Sequence, residues 1–398
     1  MKRVLVILDG AADLPIRGFN GRTPLEIARM PLMDRLARMG RQGVLAEGDD
    51  PALPFEVRHL WSLLGRRPGA WQGGTGYLEA LGLGLETRPD HWYLSAGLVA
   101  LNDRVLETAE VPGLSEEEAD ELFSGLDRLG LGFSHHRQSG SRAVLEVPKS
   151  VWTWPSVCDL RHPPESMQGK PVLPFLPEGR DAAPIRTAWD GCCKLLSMED
   201  VNLVRADLGE TPANGVWWWG GPTGESQWGD GGACPLGLRG GLISDSMLLC
   251  GVARVCGMDA RHVSAVKGQK SYYSDRLAEF AQLLGKQELI VVHAGRPAEC
   301  GLRGALDEKV WALEGLDQWL LRPLVEMLMG VDAWRLVVSA GSMVSVEQRT
   351  YRSGPIPFLM AGSGVRADLN RTWNERTAGT GIPGPISGAN LWRRLVEA

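Results

Sequence analysis

Asp9 closes a short apolar run that begins at Lys2 and is followed at once by Gly10. A carboxylate at the C-terminal end of a buried parallel strand stands where ligand crevices open in α/β sheets. Glu56, Arg58 and His59 form a second chemical group. A carboxylate and an imidazole so close together have the composition of a general acid–base pair, and equally that of a salt-bridged, solvated loop. Asp245 lies between Ser244 and Ser246 after a short apolar strand and reads as a helix N-cap. His135 and His136 are adjacent, so on a strand they face opposite sides and are poorly placed to share an ion. His162 precedes Pro163-Pro164 and reads as a loop residue. The seven cysteines are scattered and form no Cys-x-x-Cys pair, which points to reduced thiols rather than a structural zinc.

The elements that must position these groups alternate between strand and helix. The β-branched run up to Asp9 predicts a buried parallel strand. Residues 23–40 predict a helix, opened by a capping box of Thr23 and Glu26 with Pro24 at the first helical position. Ser115 with Glu118 makes another capping box, and the acidic turn Glu116-Glu117-Glu118 suits a helix N-terminus. Further strands are expected at 143–147, 215–219, 241–243, 289–293, 335–339 and 356–361. Helices are expected near 246–256, 274–284, 307–329 and 390–397. This rhythm predicts a mostly parallel sheet with helices on both faces. Residues 105–184 are richer in proline and loops and read as an inserted subdomain. The glycine-rich stretch 220–232 reads as a mobile loop.

The chain has 398 residues, 44% of them apolar and 23% charged, with a net charge of -6. That composition suits a large core with a smaller second domain, and it argues against a broad nucleic-acid surface. Five apolar residues before Asp9 are too few for a signal peptide, and no stretch is long enough to span a membrane, so a cytoplasmic protein is expected. The 15 tryptophans read mainly as core filling, with an aromatic partner surface as the other reading.

Several segments, in order, resemble one family. Val4-Leu5-Val6-Ile7-Leu8-Asp9-Gly10, Thr23-Pro24-Leu25-Glu26 and Met33-Asp34-Arg35-Leu36-Ala37 are similar to the opening of the archaeal-type cofactor-independent phosphoglycerate mutases. Residues 59–65, 76–84, 201–203, 213–221, 237–244, 250–258, 291–309, 337–345 and 355–359 continue the match across nearly the whole chain. The resemblance implies an α/β fold: a doubly wound, mostly parallel, alkaline phosphatase-like core at 1–104 and 185–398, with a small α+β cap at 105–184. It also implies two divalent metals, a serine nucleophile and phosphoryl transfer between glycerate oxygens.

Carried over singly, most of the catalytic positions are changed. Asp9 matches the first metal-binding aspartate, whereas Glu56 stands at the nucleophile's position. Ala298 and Leu302 replace the aspartate and histidine of one metal segment, with His293 and Lys309 fixing the register. Gly341 and Ser342 replace the next aspartate–histidine pair, and Tyr351 replaces the last histidine. Arg142 matches a basic residue before a cap strand. Arg296 and Arg303 flank the altered segment and offer fixed positive charge to an anion. These changes predict a protein that has lost catalysis and takes no metal or other cofactor. Such a protein would bind a protein partner or a small anionic ligand in a regulatory or scaffold role. Two enzymatic alternatives stand beside this: metal-independent chemistry by Asp9, Glu56 and His59, or an active mutase whose ligands lie at other positions.

Overall fold

The computed structural model describes residues 1–46, 53–66, 71–153, 156–222, 237–263 and 269–396. Of the glycine-rich stretch 220–232, only the first three residues are among them. The strands are β1 (Lys2–Leu8), β2 (Arg41–Leu45), β3 (His91–Asn102), β4 (Val105–Thr108), β5 (Ser134–Arg137), β6 (Arg142–Pro148) and β7 (Gly215–Trp219). They continue with β8 (Gly240–Ser244), β9 (Asp259–His262), β10 (Leu289–Ala294), β11 (Trp334–Ser339), β12 (Met343–Ser345), β13 (Thr350–Arg352) and β14 (Ile356–Gly362).

The chain divides into two units, one of Met1–Gly69 with Gly231–Ala398 and one of Ala70–Asp230. The first holds a seven-stranded sheet in the order β2-β14-β11-β1-β10-β8-β9. Its five strands from β11 to β9 run parallel, and β14 and β2 add an antiparallel edge. Val4 to Leu8 are buried, as a central strand covered on both faces requires. The chain then turns at Gly10, where φ is +71° and a Cβ would lie 2.3 Å from the Ala298 backbone. Only glycine fits that turn.

The second unit holds an antiparallel sheet in the order β4-β3-β6-β5, with β7 on the other side of β3. Its core contains Trp92, Trp152, Trp189, Trp217 and Trp218, so these tryptophans fill the interior as expected. This unit is wider than residues 105–184. The strand at 215–219 was expected in the strand–helix alternation of the main sheet, but it pairs Ser95–Val99 of β3. Local pattern announces a strand without naming its partner. The helix expected over 23–40 is two helices, Pro24–Ile27 and Pro31–Met39, because Pro31 disfavours helical backbone at Met30.

Candidate active site and metal centre

β1 and β10 are parallel neighbours in register through Leu8 and Ala294, so Asp9 and His293 reach the same carboxyl edge of the sheet. The third element is the helix Phe55–Leu63, which buries Val57, Leu60, Trp61 and Leu63 and turns Glu56 and His59 to the sheet from one helical face. Asp9, Glu56 and His293 each present a ligand atom within 4.8 Å of the others.

Each side chain is held from behind. Ser342 Oγ donates to Asp9 Oδ1 at 2.6 Å and accepts from the Gly10 amide at 3.1 Å. Ser246 Oγ donates to Glu56 Oε1 at 3.0 Å. His293 Nδ1 lies 3.0 Å from Ser244 Oγ and 3.4 Å from Asp245 Oδ1. Arg276 fixes Asp245 at 2.6 Å and also donates to the His293 and Tyr272 carbonyls. Asp245, expected as a simple N-cap, therefore orients the imidazole, while Ser246 caps the helix Met247–Val255. Burial alone would raise the Asp245 carboxyl, but the hydrogen bond from His293 and the Arg276 charge hold it at about 2. An ionised Asp245 only accepts, so it places the imidazole proton on Nδ1 and turns the Nε2 lone pair toward Asp9 and Glu56.

Burial raises the Asp9 carboxyl, against the pull of His293 and Ser342. It also pushes Glu56 to about 7, eased by His293 and reinforced by Asp9. Burial opposes charge on His293, yet Asp245, Asp9 and Glu56 together raise its pKa. Two crowded carboxylates facing an imidazole could together hold a cation. The buried His293 Nε2 has no hydrogen-bond partner among the described residues, which leaves it available to a ligand. Two carboxylates and one imidazole suit a divalent ion such as Mn²⁺ or Zn²⁺. Three donors about 2.0–2.2 Å from one ion lie about 3–4 Å apart, a spacing that these three atoms, all within 4.8 Å of one another, can approach.

The other sequence-predicted residues are placed elsewhere. His59 does not join the cluster. Its Nε2 lies 3.0 Å from Ser339 Oγ, and burial and the nearby His293 lower its pKa to about 3. The guanidinium of Arg58 stacks 4.2 Å over the Phe55 ring. Arg303 pairs with Glu308 at 2.5 Å and is largely exposed. Arg142 belongs to the second unit, where it pairs with Glu165 and lies 4.6 Å over Trp219. Leu302 is exposed, Ala298 packs at the Gly10 turn, and Lys309 forms a buried ion pair with Asp13 at 2.8 Å. Tyr351 stacks on Phe55 at 5.2 Å, its phenol pushed up by burial and by Asp9 and Glu56. His135 and His136 face apart, to Asp127 and Glu146 respectively.

A protein of Methanothrix thermoacetophila named 2,3-bisphosphoglycerate-independent phosphoglycerate mutase is 30% identical to this chain over 408 residues, spanning the whole of both. The chain belongs to this mutase family. A second relative of the same name, from Methanothermobacter thermautotrophicus, is 30% identical over all of this chain and 98% of its own. The sequence model of the 2,3-bisphosphoglycerate-independent phosphoglycerate mutase family matches residues 37–202. Among solved structures, a protein from Pyrococcus horikoshii aligns with a TM-score of 0.76 at 22% identity, covering 99% of this chain and 97% of its own. The cofactor-independent phosphoglycerate mutase of Thermoplasma acidophilum aligns with a TM-score of 0.59 at 21% identity, covering 100% and 99%. Both support the fold.

These findings overturn three expectations. A non-catalytic binding or scaffold protein does not accord with full-length relatives named as phosphoglycerate mutases, and neither does the expectation that the chain is no enzyme. The absence of any metal was inferred from Asp9 as the sole surviving ligand position, yet the fold brings Glu56 and His293 to it. His293 had served only as a register marker. The signal that would have found it is that two neighbouring parallel strands both end on a donor.

Proposed function

We propose that this chain is an active phosphoglycerate mutase, moving a phosphoryl group between the oxygens of glycerate, with its site rebuilt around one divalent ion. The observation that carries this reading is the triad of buried Asp9, half-buried Glu56 and buried His293, whose Nε2 has no hydrogen-bond partner among the described residues. When bound, the ion supplies positive charge against the phosphoryl oxygens, where phosphoryl transfer most needs it. Asp9, Glu56 and His293 would hold it, with Asp245 and Arg276 fixing the imidazole behind. The neutral Tyr351 phenol near both carboxylates offers a donor to an anionic substrate. His59, neutral at physiological pH, shares a hydrogen bond with Ser339 Oγ and keeps that strand end in place.

Room for a second ion is restricted. Gly341 has φ +71°, and a Cβ there would lie 2.6 Å from the Asp9 Cα, so the position takes no aspartate. Ser342 occupies Asp9 Oδ1. A small anionic substrate is the partner this reading implies. Among the described residues no helix is long and apolar enough to cross a membrane. No disulfide joins the six described cysteines, in keeping with a proposed reducing, cytoplasmic setting.

The test is a coupled assay of phosphoglycerate interconversion on protein stripped by chelator and reloaded with Mn²⁺, Zn²⁺ or Mg²⁺. The reading requires turnover that chelation abolishes and one ion per chain restores. Protein that neither binds an ion nor interconverts the isomers would refute it.

A further inference from the structure

The position matched to the family's nucleophile holds Glu56, which has no hydroxyl to give. Four serine hydroxyls nevertheless surround the triad. Ser244, Ser339 and Ser342 are fully buried, against His293, His59 and Asp9 respectively. Ser246 differs in three ways. It is partly exposed, where the other three are buried. Its Oγ donates to Glu56 Oε1 at 3.0 Å, so the proton already points at a carboxylate. It also caps the helix Met247–Val255, whose first amides lack intrahelical partners and favour an anion beside them.

We propose that Ser246 is the phosphoryl acceptor that stands in for the missing nucleophile. This rests on the reading of the chain as a phosphoryl-transfer enzyme and names the atom that receives the group. A hydroxyl hydrogen-bonded to a fixed carboxylate is poised for attack, because its proton has somewhere to go. In the first half-reaction a bond forms between Ser246 Oγ and phosphorus while the bond from phosphorus to the glycerate oxygen breaks. The hydroxyl proton passes to Glu56 Oε1 and from there to the departing glycerate oxygen. In the second half the neighbouring glycerate hydroxyl attacks phosphorus, the Oγ–phosphorus bond breaks, and Ser246 recovers a proton by the same route. No oxidant, water or other co-reactant is consumed. The swap is spatial: Glu56 occupies the old nucleophile's place, and a serine from a different element reaches over to it.

The experiment compares wild type with Ser246→Ala and Ser246→Asn. Asparagine keeps an N-cap acceptor but has no hydroxyl, so it separates a capping role from a chemical one. Metal-loaded protein is mixed with phosphoglycerate, quenched in acid, digested and mapped by mass spectrometry. Wild type should carry a phosphoryl group on the peptide containing Ser246. Assayed at saturating Mn²⁺, which offsets any weakening of metal binding from the lost contact to Glu56, both variants should lose that label and about a thousandfold or more in kcat. A label on Ser244, Ser339 or Ser342, or near-normal turnover by Ser246→Asn, would overturn the assignment and leave the mutase reading standing. Failure of wild type itself to turn over would sink both.

Discussion

His293→Asn separates the two sides of one imidazole. Nδ1 faces Ser244 Oγ at 3.0 Å and Asp245 at 3.4 Å, whereas Nε2 faces the two carboxylates and has no hydrogen-bond partner among the described residues. An asparagine amide can retain the inner contacts and delete the outer donor. In metal-free protein, loss of part of a buried ring is destabilising. Removal of an unpaired buried nitrogen returns about 1–3 kcal/mol, so the melting temperature should barely move. With Mn²⁺ the variants diverge. At a hundred times its Kd, an ion that binds only the folded state adds about 2.7 kcal/mol. For a unit of about 240 residues that is a rise of about 5–10 °C. Loss even of a group that orients a ligand weakens metal binding about 10–100-fold, and loss of the ligand atom costs at least as much. At the same ion concentration the variant then gains at most about 0.4–1.4 kcal/mol, a rise of about 1–6 °C. Scanning calorimetry with chelator and then with added Mn²⁺ reads both numbers, and titration calorimetry supplies the Kd. Equal metal-induced shifts in wild type and His293→Asn would refute the assignment of Nε2 as a ligand.

Other perturbations test the supports. His59 titrates near 6.5 when unfolded and at about 3 when folded, so its stabilisation is full above pH 6.5 and is lost as pH falls toward 3. Between pH 6.5 and 5 the loss is about 2 kcal/mol. His59→Gln should flatten that part of the urea-unfolding pH profile, and an unchanged profile would show that the ring is not held neutral. Gly341→Ala places a methyl 2.6 Å from the Asp9 Cα at φ +71°, so it should destabilise by about 2 kcal/mol or more. It should also weaken Mn²⁺ binding, and a variant that binds Mn²⁺ normally would show that Asp9 is not a ligand. In the second unit, the buried Arg205 donates to the Pro112 carbonyl at 2.7 Å and pairs with Glu118 at 3.1 Å and Glu210 at 3.2 Å. Arg205→Met should lower stability by about 1–3 kcal/mol in urea unfolding, chiefly through the unpaired Pro112 carbonyl because Glu118 and Glu210 keep solvent access, and an unchanged midpoint would mean that the network contributes nothing.

The main sheet was legible because its central strands are buried on both faces. Such strands read as unbroken apolar runs, as Val4 to Leu8 and Leu289 to Val292 do. The extent of the second unit was not legible, because β3 takes β6, β7 and β4 as partners from far along the chain. Pleat and composition carry no address.

The site divides along the same line. Asp9 was readable as a strand-end carboxylate, and Glu56 was noticed, but as a vacancy where a hydroxyl belonged. Matching donors slot by slot asks whether each inherited position keeps its ligand, and at Ala298, Leu302 and Gly341 it does not. A cation asks a different question: whether enough donors meet in space, from whatever elements. Here the answer comes from β1, the Phe55–Leu63 helix and β10, which the sheet register and one helical turn bring within 4.8 Å. Glu56 is therefore better understood as a gain than as a loss. It exchanges a nucleophile for a carboxyl group that stands beside a buried aspartate, the Ser246 hydroxyl and an imidazole nitrogen with no hydrogen-bond partner among the described residues. Vacant inherited positions count against an inherited ligand set, and they carry no weight against a centre assembled from other residues at the same edge of the sheet.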